Sequence, residues 1–374
     1  MKKILITYAS AGDGHKKAAE AIYRQFLDVA SDAEIVFVDS LNYATRSFKF
    51  SYRRIYIILI KYMPWLWGFF YHLLNNRFFF FVARPFRILV NTINSKKLIN
   101  FLLKEQFDII ISTHFFATEV ISRYKEKSVL PAPLINIVTD FKAHLYWIGK
   151  NVDKYVVASE SLIHEFVNRG VDFKKIAVLG VPVRKKFSIP VSKETVRKEL
   201  KLSKEKFTLL VMGGGLGVGP IKEVVLDLQR LDFDCQIIVV CGHNKALVKE
   251  LETMSDNFAK DTRIIGFSHS VDMLMAASDI MISKAGGVTV SESLARELPI
   301  ICIKPIPGQE SGNAQFLLDH HIGFWLKDYC DINATVSKLY YFADNTDKLK
   351  KEIVKLARPD SAKNIAELAL EMIR

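Results

Sequence analysis

Apolar residues come along this chain in short runs, each ending in a glycine or polar turn and followed by a stretch whose apolar positions recur every three to four residues. Residues 2–8 are the first run, a β-branched and aliphatic strand that leads through Gly12-Asp13-Gly14-His15 into a helical pattern over about 16–29. Runs at 35–39, 107–112, 133–138, 154–158 and 176–179 repeat the rhythm. A second series follows at 207–212, 236–241, 263–265, 280–282 and 299–304. Short, continuously apolar strands alternating with helices predict parallel sheets covered on both faces, hence an α/β chain. A glycine turn opens each series, which divides the chain into two Rossmann-like halves: 1–185 and 207–345, joined by a connection at 186–206 and followed by C-terminal helices at 346–374.

In open α/β sheets ligands sit outside the carboxyl ends of the strands, and there this sequence collects its polar residues. The first turn delivers His15 to a helix start, where the dipole disfavours the imidazolium and leaves a ring able to accept a proton; a cap or surface role is the plainer reading. Thr139-Asp140-Phe141-x-x-His144 follows another strand, and Asp140 and His144 equally suit capping of the next turn. The second glycine turn, 213–219, lets backbone N–H groups of Gly214 and Gly215 approach a phosphate. It lacks the Gly-Lys-Ser/Thr ending of a Walker A loop.

The stretch 283–313 is the densest. Gly286 and Gly287 turn the chain, Thr289-x-x-Glu292 opens a helix, a buried strand follows, and Pro307-Gly308-Gln309-Glu310-x-x-Asn313 stands at its end. A helix start with free N–H groups suits a phosphate. Thr289 and Glu292 read either as a capping box or with Glu292 accepting from a ribose diol.

Composition changes between 48 and 93, where aromatics and aliphatics are interleaved with Arg and Lys. No acidic residue occurs between Asp39 and Glu105, so almost the whole net charge of +12 sits there. The longest uncharged stretch, 62–76, contains Pro64 and falls short of the roughly 20 apolar residues a spanning helix needs. Core helices are one reading. The sharper one is an interfacial surface, with Trp65, Trp67 and Phe69 entering the headgroup region while Arg53 and Arg54 meet anionic lipid. The greasiness of 55–60 and 78–81 favours membrane over nucleic acid. The four cysteines show no metal spacing and read as reduced, packed thiols. The N-terminal apolar run is too short for an export signal and reads as the first strand.

GDGH at 12–15, TDFKAH at 139–144, GVPVRKKF at 180–187, GGGLGVG at 213–219, the SKAGG-x-T-x-x-E run and the PGQE-x-x-N loop together resemble the bacterial diacylglycerol glucosyltransferases and the monogalactosyldiacylglycerol synthases, GT-B enzymes related to the N-acetylglucosaminyltransferase that makes lipid II. The resemblance implies two Rossmann-like domains facing across a cleft, the first binding acceptor and membrane and the second UDP-sugar. It implies an inverting transfer of a hexose, glucose preferred to galactose, from UDP to the free hydroxyl of diacylglycerol. No metal or other cofactor is implied. His15 would bind or deprotonate the acceptor, with Asp140 the alternative base or its partner, and Gly14 and His144 nearby. Phe267 would lie beside the uracil, Gly286, Gly287 and Thr289 would cradle the diphosphate, and Glu292 would bind the ribose. Gln309, Glu310 and Asn313 would face the hexose and phosphates. A neutral His accepts a proton near pH 7 unaided, which ranks His15 above Asp140. Asp232-Phe233-Asp234 matches a metal-binding DxD in letters but precedes a strand, the wrong end of the sheet. A peripheral protein on the cytoplasmic face follows. A UDP-sugar 2-epimerase, a non-catalytic UDP-sugar sensor and a nucleic-acid binder explain the basic aromatic stretch or the paired motifs less well.

Overall fold

Six strands pair in parallel in the first half: β1 (Lys3–Tyr8), β2 (Glu34–Asp39), β3 (Ile109–Ser112), β4 (Leu134–Ile137), β5 (Lys154–Val157) and β6 (Ile176–Val178), in the order β2-β1-β3-β4-β5-β6. Helices α1 (Asp13–Val29), α2 (Arg46–Tyr62), α3 (Pro64–Leu74), α4 (Arg77–Asn94), α5 (Lys96–Glu105), α6 (Phe115–Glu126) and α7 (Ser161–Val167) connect them. β3 and β4 are buried at every residue, as their unbroken apolar runs require. This computed structural model describes residues 1–374 except Ala11, which falls in the first expected turn, and Ser128, and all side chains but those of Ala343 and Asn345.

The second half opens with α8 (Lys193–Glu199) and alternates β7 (Phe207–Met212), α9 (Ile221–Leu228), β8 (Cys235–Val240), α10 (Lys245–Met254), β9 (Asp261–Ile265), α11 (Val271–Ala277), β10 (Ile280–Ser283), α12 (Gly287–Ala295), β11 (Ile300–Ile303), α13 (Gln309–Asp319) and β12 (Gly323–Leu326). Its sheet is also parallel, in the order β12-β11-β10-β7-β8-β9. The chain continues through α14 (Ile332–Tyr341), α15 (Ala343–Leu356) and α16 (Ser361–Glu371).

Two units result: residues 1–185 with 307–309 and 358–374, and residues 186–306 with 310–357. The stretch 186–206, expected as a connection, belongs to the second unit. There the Arg197 guanidinium, 6% exposed, ties Asp279, Thr208 and the carbonyls of Ala277 and Lys204 together. The C-terminal helices divide. Ile365, Ala366 and Ala369 give α16 an apolar stripe that packs against Ala19, Ile22 and Phe26 of α1 in the first unit, while α15 stays in the second. Cys235, Cys241 and Cys302 are buried free thiols as expected, whereas Cys330 is exposed.

Candidate active site

In the first sheet the strand order reverses between β1 and β3, which leaves a crevice outside their carboxyl ends. Three consecutive neighbours in the sheet, β1, β3 and β4, deliver His15, Thr113-His114 and Thr139-Asp140 to it. The helix expected from about residue 16 starts at Asp13, so His15 is its third residue, and Gly14 lies exposed in the same first turn. Gly12 makes the entry possible: its φ of 141° is in the region that L side chains rarely adopt.

His15 is clamped by the loop after β3. Its Nδ1 stands 2.8 Å from the Thr113 carbonyl and 3.2 Å from the Thr139 hydroxyl, and the Thr113 hydroxyl donates to the His15 carbonyl at 2.9 Å. A carbonyl only accepts, so Nδ1 carries the proton and Nε2 keeps its lone pair. Among the described residues Nε2 has no hydrogen-bond partner. Burial holds the ring pKa down to about 4 against the pull of the Thr113 bond, so the imidazole is unprotonated across physiological pH and its Nε2 lone pair is available.

Asp140, 3% exposed, uses both oxygens: Oδ2 accepts from Trp147 Nε1 at 2.9 Å and Oδ1 from Gln309 Nε2 at 2.7 Å. Gln309 belongs to the first unit and was expected at the donor sugar. The Pro307-Gly308-Gln309 loop lies on α3, where Gly68 faces Pro307 and Gly308 faces Tyr71 too closely for either glycine to carry a side chain. His144 was expected near the acceptor, with contact to it or to Asp140 left open. Its Nδ1 accepts from the Tyr146 N–H at 3.1 Å and its Nε2 donates to the Tyr71 carbonyl at 2.9 Å, so both nitrogens are spent bracing α3. Burial lowers its pKa to about 4 as well.

These two histidines make stability pH-dependent with a definite sign. An unfolded histidine titrates near 6.5, so between about 6.5 and 4 the unfolded chain binds protons that the fold excludes, and stability falls as pH drops through that window. The loss should reach roughly 2 kcal/mol for each by pH 5. Urea unfolding at pH 7.5 and pH 5 measures it, and His15→Gln should remove only its own share, since His144 and the buried His114, whose pKa is also held down, act with the same sign; an unchanged difference refutes the assignment.

The basic aromatic helices form the wall of this site. α2, α3, α4 and α6 enclose a cavity of about 440 Å³, within the size of small-ligand sites. His15 and His114 line it, with Tyr52, Tyr56, Trp67 and Phe70 on the aromatic side and Arg87 and Glu119 also at its surface. The segment expected at the headgroup thus divides. Trp67 faces the cavity, while Trp65 and Phe69 are 66% and 57% exposed. Phe78, Phe81 and Phe86 on α4 are exposed by 68–72%. Arg53 is taken up by an ion pair at 2.9 Å to buried Asp39, the residue that also caps the β1 loop at Ser10; Arg54 remains exposed, over the Phe50 ring. Among the described residues no single helix is long and apolar enough to cross a membrane; α2 and α3 pass that test only together and meet at 114°.

The second unit repeats the crevice between β7 and β10. After β7 the glycine turn packs on the turn after β8: His243 N–H donates to the Gly215 carbonyl at 2.9 Å and Asn244 Nδ2 to that of Gly217 at 3.1 Å. A Cβ on Gly217, whose φ is 59°, would lie 1.9 Å from the Cys241 carbonyl oxygen, whereas one on Gly214 meets nothing. Gly217→Ala should therefore cost roughly 3 kcal/mol by overpacking and strain, and Gly214→Ala about 1 by strain alone; chemical denaturation separates them. Phe267 stacks on His243 at 4.2 Å and 11° and is 42% exposed.

After β10, α12 begins at Gly287 with Gly286 as an N-cap that forms no side-chain bond. The capping-box reading fails, since Thr289 lies inside the first turn and cannot cap it. The extended backbone of Gly286 lets the helix start before Thr289 is reached. Gly286, Gly287 and Thr289 are partly exposed there, and Glu292 is 3% exposed one turn on. Glu310 accepts from the Ile306 N–H at 2.8 Å and pairs with Lys284 at 3.6 Å; Asn313 Nδ2 donates to the Ala285 carbonyl at 2.9 Å. Both thus hold the loops around the α12 start. Asp232 and Asp234 immediately precede β8, at the end of the sheet away from this crevice. Among the described residues no group of three or more His, Cys, Asp or Glu side chains could hold a metal ion.

Sequence reading did not select His114, Trp147 or Glu119. His114 stands at a strand's carboxyl end, which was a usable signal; the other two reach the site through a loop and a helix face that no local pattern marks.

Residues 15–183 match the family model for monogalactosyldiacylglycerol (MGDG) synthase, and residues 208–368 that for the glycosyltransferase family 28 C-terminal domain. The processive diacylglycerol beta-glucosyltransferase of Bacillus pumilus is 29% identical over 373 residues, covering 99% of this chain and 95% of that protein. The enzyme of the same name from Bacillus subtilis is 29% identical over 370 residues, covering 98% and 94%. Among solved structures, MurG of Acinetobacter baumannii matches with a TM-score of 0.65 at 13% identity, covering 99% of this chain and all of that one. Anabaena HepE in complex with UDP-glucose matches at 0.57 and 13%, covering 99% of each. With two parallel-sheet halves of this construction matched in order, the chain has the GT-B fold and is a UDP-sugar hexosyltransferase similar to the diacylglycerol glucosyltransferases and monogalactosyldiacylglycerol synthases.

Proposed function

We propose that this enzyme moves a hexose from a UDP-sugar to the free hydroxyl of 1,2-diacylglycerol with inversion at the anomeric carbon. The observation that carries this reading is a neutral His15 whose Nε2 is open at the floor of an apolar cavity walled by basic, aromatic helices. Nε2 takes the hydroxyl proton as the hydroxyl oxygen bonds to the sugar C1 and the C1–phosphate bond breaks, its electron pair leaving on UDP. Asp140 keeps the role of fixing Trp147 and Gln309 around the base. The charge on the departing diphosphate is met by N–H groups at Gly286, Gly287 and Thr289 and at Gly214 and Gly215, where preorganised donors act without reorganising. Glu292 takes the ribose diol and Phe267 flanks the uracil. No metal is needed for this step. The first unit is the acceptor and membrane-binding domain and the second the UDP-sugar domain. The exposed aromatics of α3 and α4, together with Arg54 and the other basic residues of 48–93, hold the protein on anionic lipid at the cytoplasmic face.

Glucose is the preferred donor, in keeping with the names of the full-length relatives; the MGDG synthase match over 15–183 favours galactose as the second reading. A 2-epimerase shares the fold at a TM-score of 0.61 but has no use for a cavity walled by aromatic helices. The test incubates purified protein with UDP-glucose or UDP-galactose and diacylglycerol in anionic mixed micelles and reads glycolipid by mass spectrometry. Product from one donor fixes the sugar and a ladder of hexoses establishes processivity. No product from either donor, with UDP still bound, refutes the acceptor.

A further inference from the structure

Beside His15 the cavity floor carries a second imidazole that the proposed chemistry does not use. His114 is 1% exposed, lines the cavity, and stands edge-on to His15 with ring centroids 4.5 Å apart at 75°. It caps α6: Nδ1 accepts the Phe116 N–H at 3.1 Å. Burial and the neighbouring His15 hold its pKa well below the ordinary value, so the ring is neutral. In a neutral ring with Nδ1 accepting, the proton is on Nε2. That N–H has no hydrogen-bond partner among the described residues, and once a ligand fills the cavity and excludes water the donor is left unmet unless the bound group accepts from it.

The two rings therefore offer a complementary pair, an open acceptor on His15 and an open donor on His114. A ligand that satisfies both carries a hydroxyl and, beside it, an oxygen without hydrogen. Resting on the acceptor assignment above, we infer that His114 Nε2–H binds the ester carbonyl adjacent to the free hydroxyl of 1,2-diacylglycerol. His114 is then a specificity-determining residue: it selects a hydroxyl with an ester on the neighbouring carbon and turns that hydroxyl toward His15.

The test compares 1,2-diacylglycerol with 1,2-di-O-alkylglycerol of equal chain length, which keeps the hydroxyl and the apolar tails but lacks the carbonyl. Both are presented to wild type and H114N in mixed micelles with the UDP-hexose. Asparagine is a strong N-cap residue and keeps the acceptor for the Phe116 N–H, and the His15 tautomer stays fixed by Thr113. Wild type should favour the ester by roughly 10- to 100-fold in kcat/KM, the worth of one hydrogen bond to an otherwise unmet donor. H114N should bring the ratio to about one by losing the ester preference alone, chiefly through KM. A retained ratio, an equal fall on both lipids, or a wild type indifferent to the ester overturns the inference alone. Transfer by wild type to neither lipid overturns the acceptor assignment, and this inference with it. Should H114N not fold, H114S, also a good N-cap, is read in the same way.

Discussion

His15→Ala should reduce hexose transfer by roughly 10³- to 10⁴-fold while leaving UDP affinity at the wild-type level. General-base assistance contributes about 10²–10⁴, and the ring's position leaves little to replace it. Nδ1 is held by Thr113 and Thr139, and the two N–H donors on the Asp140 carboxylate keep that group engaged elsewhere. His15 belongs to the first unit and Glu292 to the second, so the two variants should separate cleanly. Glu292→Ala should weaken UDP by about 10- to 100-fold, the loss of hydrogen bonds to a charged acceptor. Calorimetric titration with UDP and turnover at saturating donor measure the two effects. Equal loss of UDP binding in both variants would falsify the division of roles.

The second large effect concerns the membrane. Monomeric proteins seldom expose contiguous apolar patches beyond a few hundred Å², yet Trp65, Phe69 and Phe81 each stand more than half exposed on helices whose chain segment carries no acidic residue. Partial burial of each ring contributes about 1 kcal/mol, less than the 1.5–3 of full burial. Replacing all three by serine should then lower affinity for anionic vesicles by roughly 100-fold and leave the unfolding midpoint in place, because none of the three belongs to the core. Trp67→Ala should behave differently. Its ring lines the cavity, so vesicle binding should persist while the KM for lipid rises. Unchanged sedimentation of the triple variant with vesicles, or a vesicle defect in Trp67→Ala as large as in the triple, would sink this division of the segment into an outer and an inner face.

What could be read before folding follows from how local each signal is. The β–α alternation was legible because buried parallel strands demand continuous apolar runs, and β3, β4, β10 and β11 are buried at every residue. Candidate chemistry was legible because strand ends are where polar groups can stand, which marked His15, Asp140 and the Gly286-Gly287 turn. Local patterns failed where two explanations share one spacing. Thr289 and Glu292 fit a capping box in letters, and the choice of Gly286 as N-cap depends on the backbone conformation there. Alternation of aromatic and basic residues also does not say which ring faces in, so Trp67 could not be told from Trp65.

The sequence by itself determined the α/β class, the two series of strands, the two glycine turns and the concentration of charge in one apolar segment, since all of these depend on neighbours in the chain. Only the tertiary structure decided what each candidate side chain touches. Strand order placed β3 between β1 and β4, and that put the Thr113 carbonyl on His15 and the His114 ring against it. Packing of α3 spent both nitrogens of His144, and an ion pair to Asp39 engaged Arg53. Hydrogen-bond capacity is finite, and which partner uses it is set by contacts between residues tens to hundreds of positions apart.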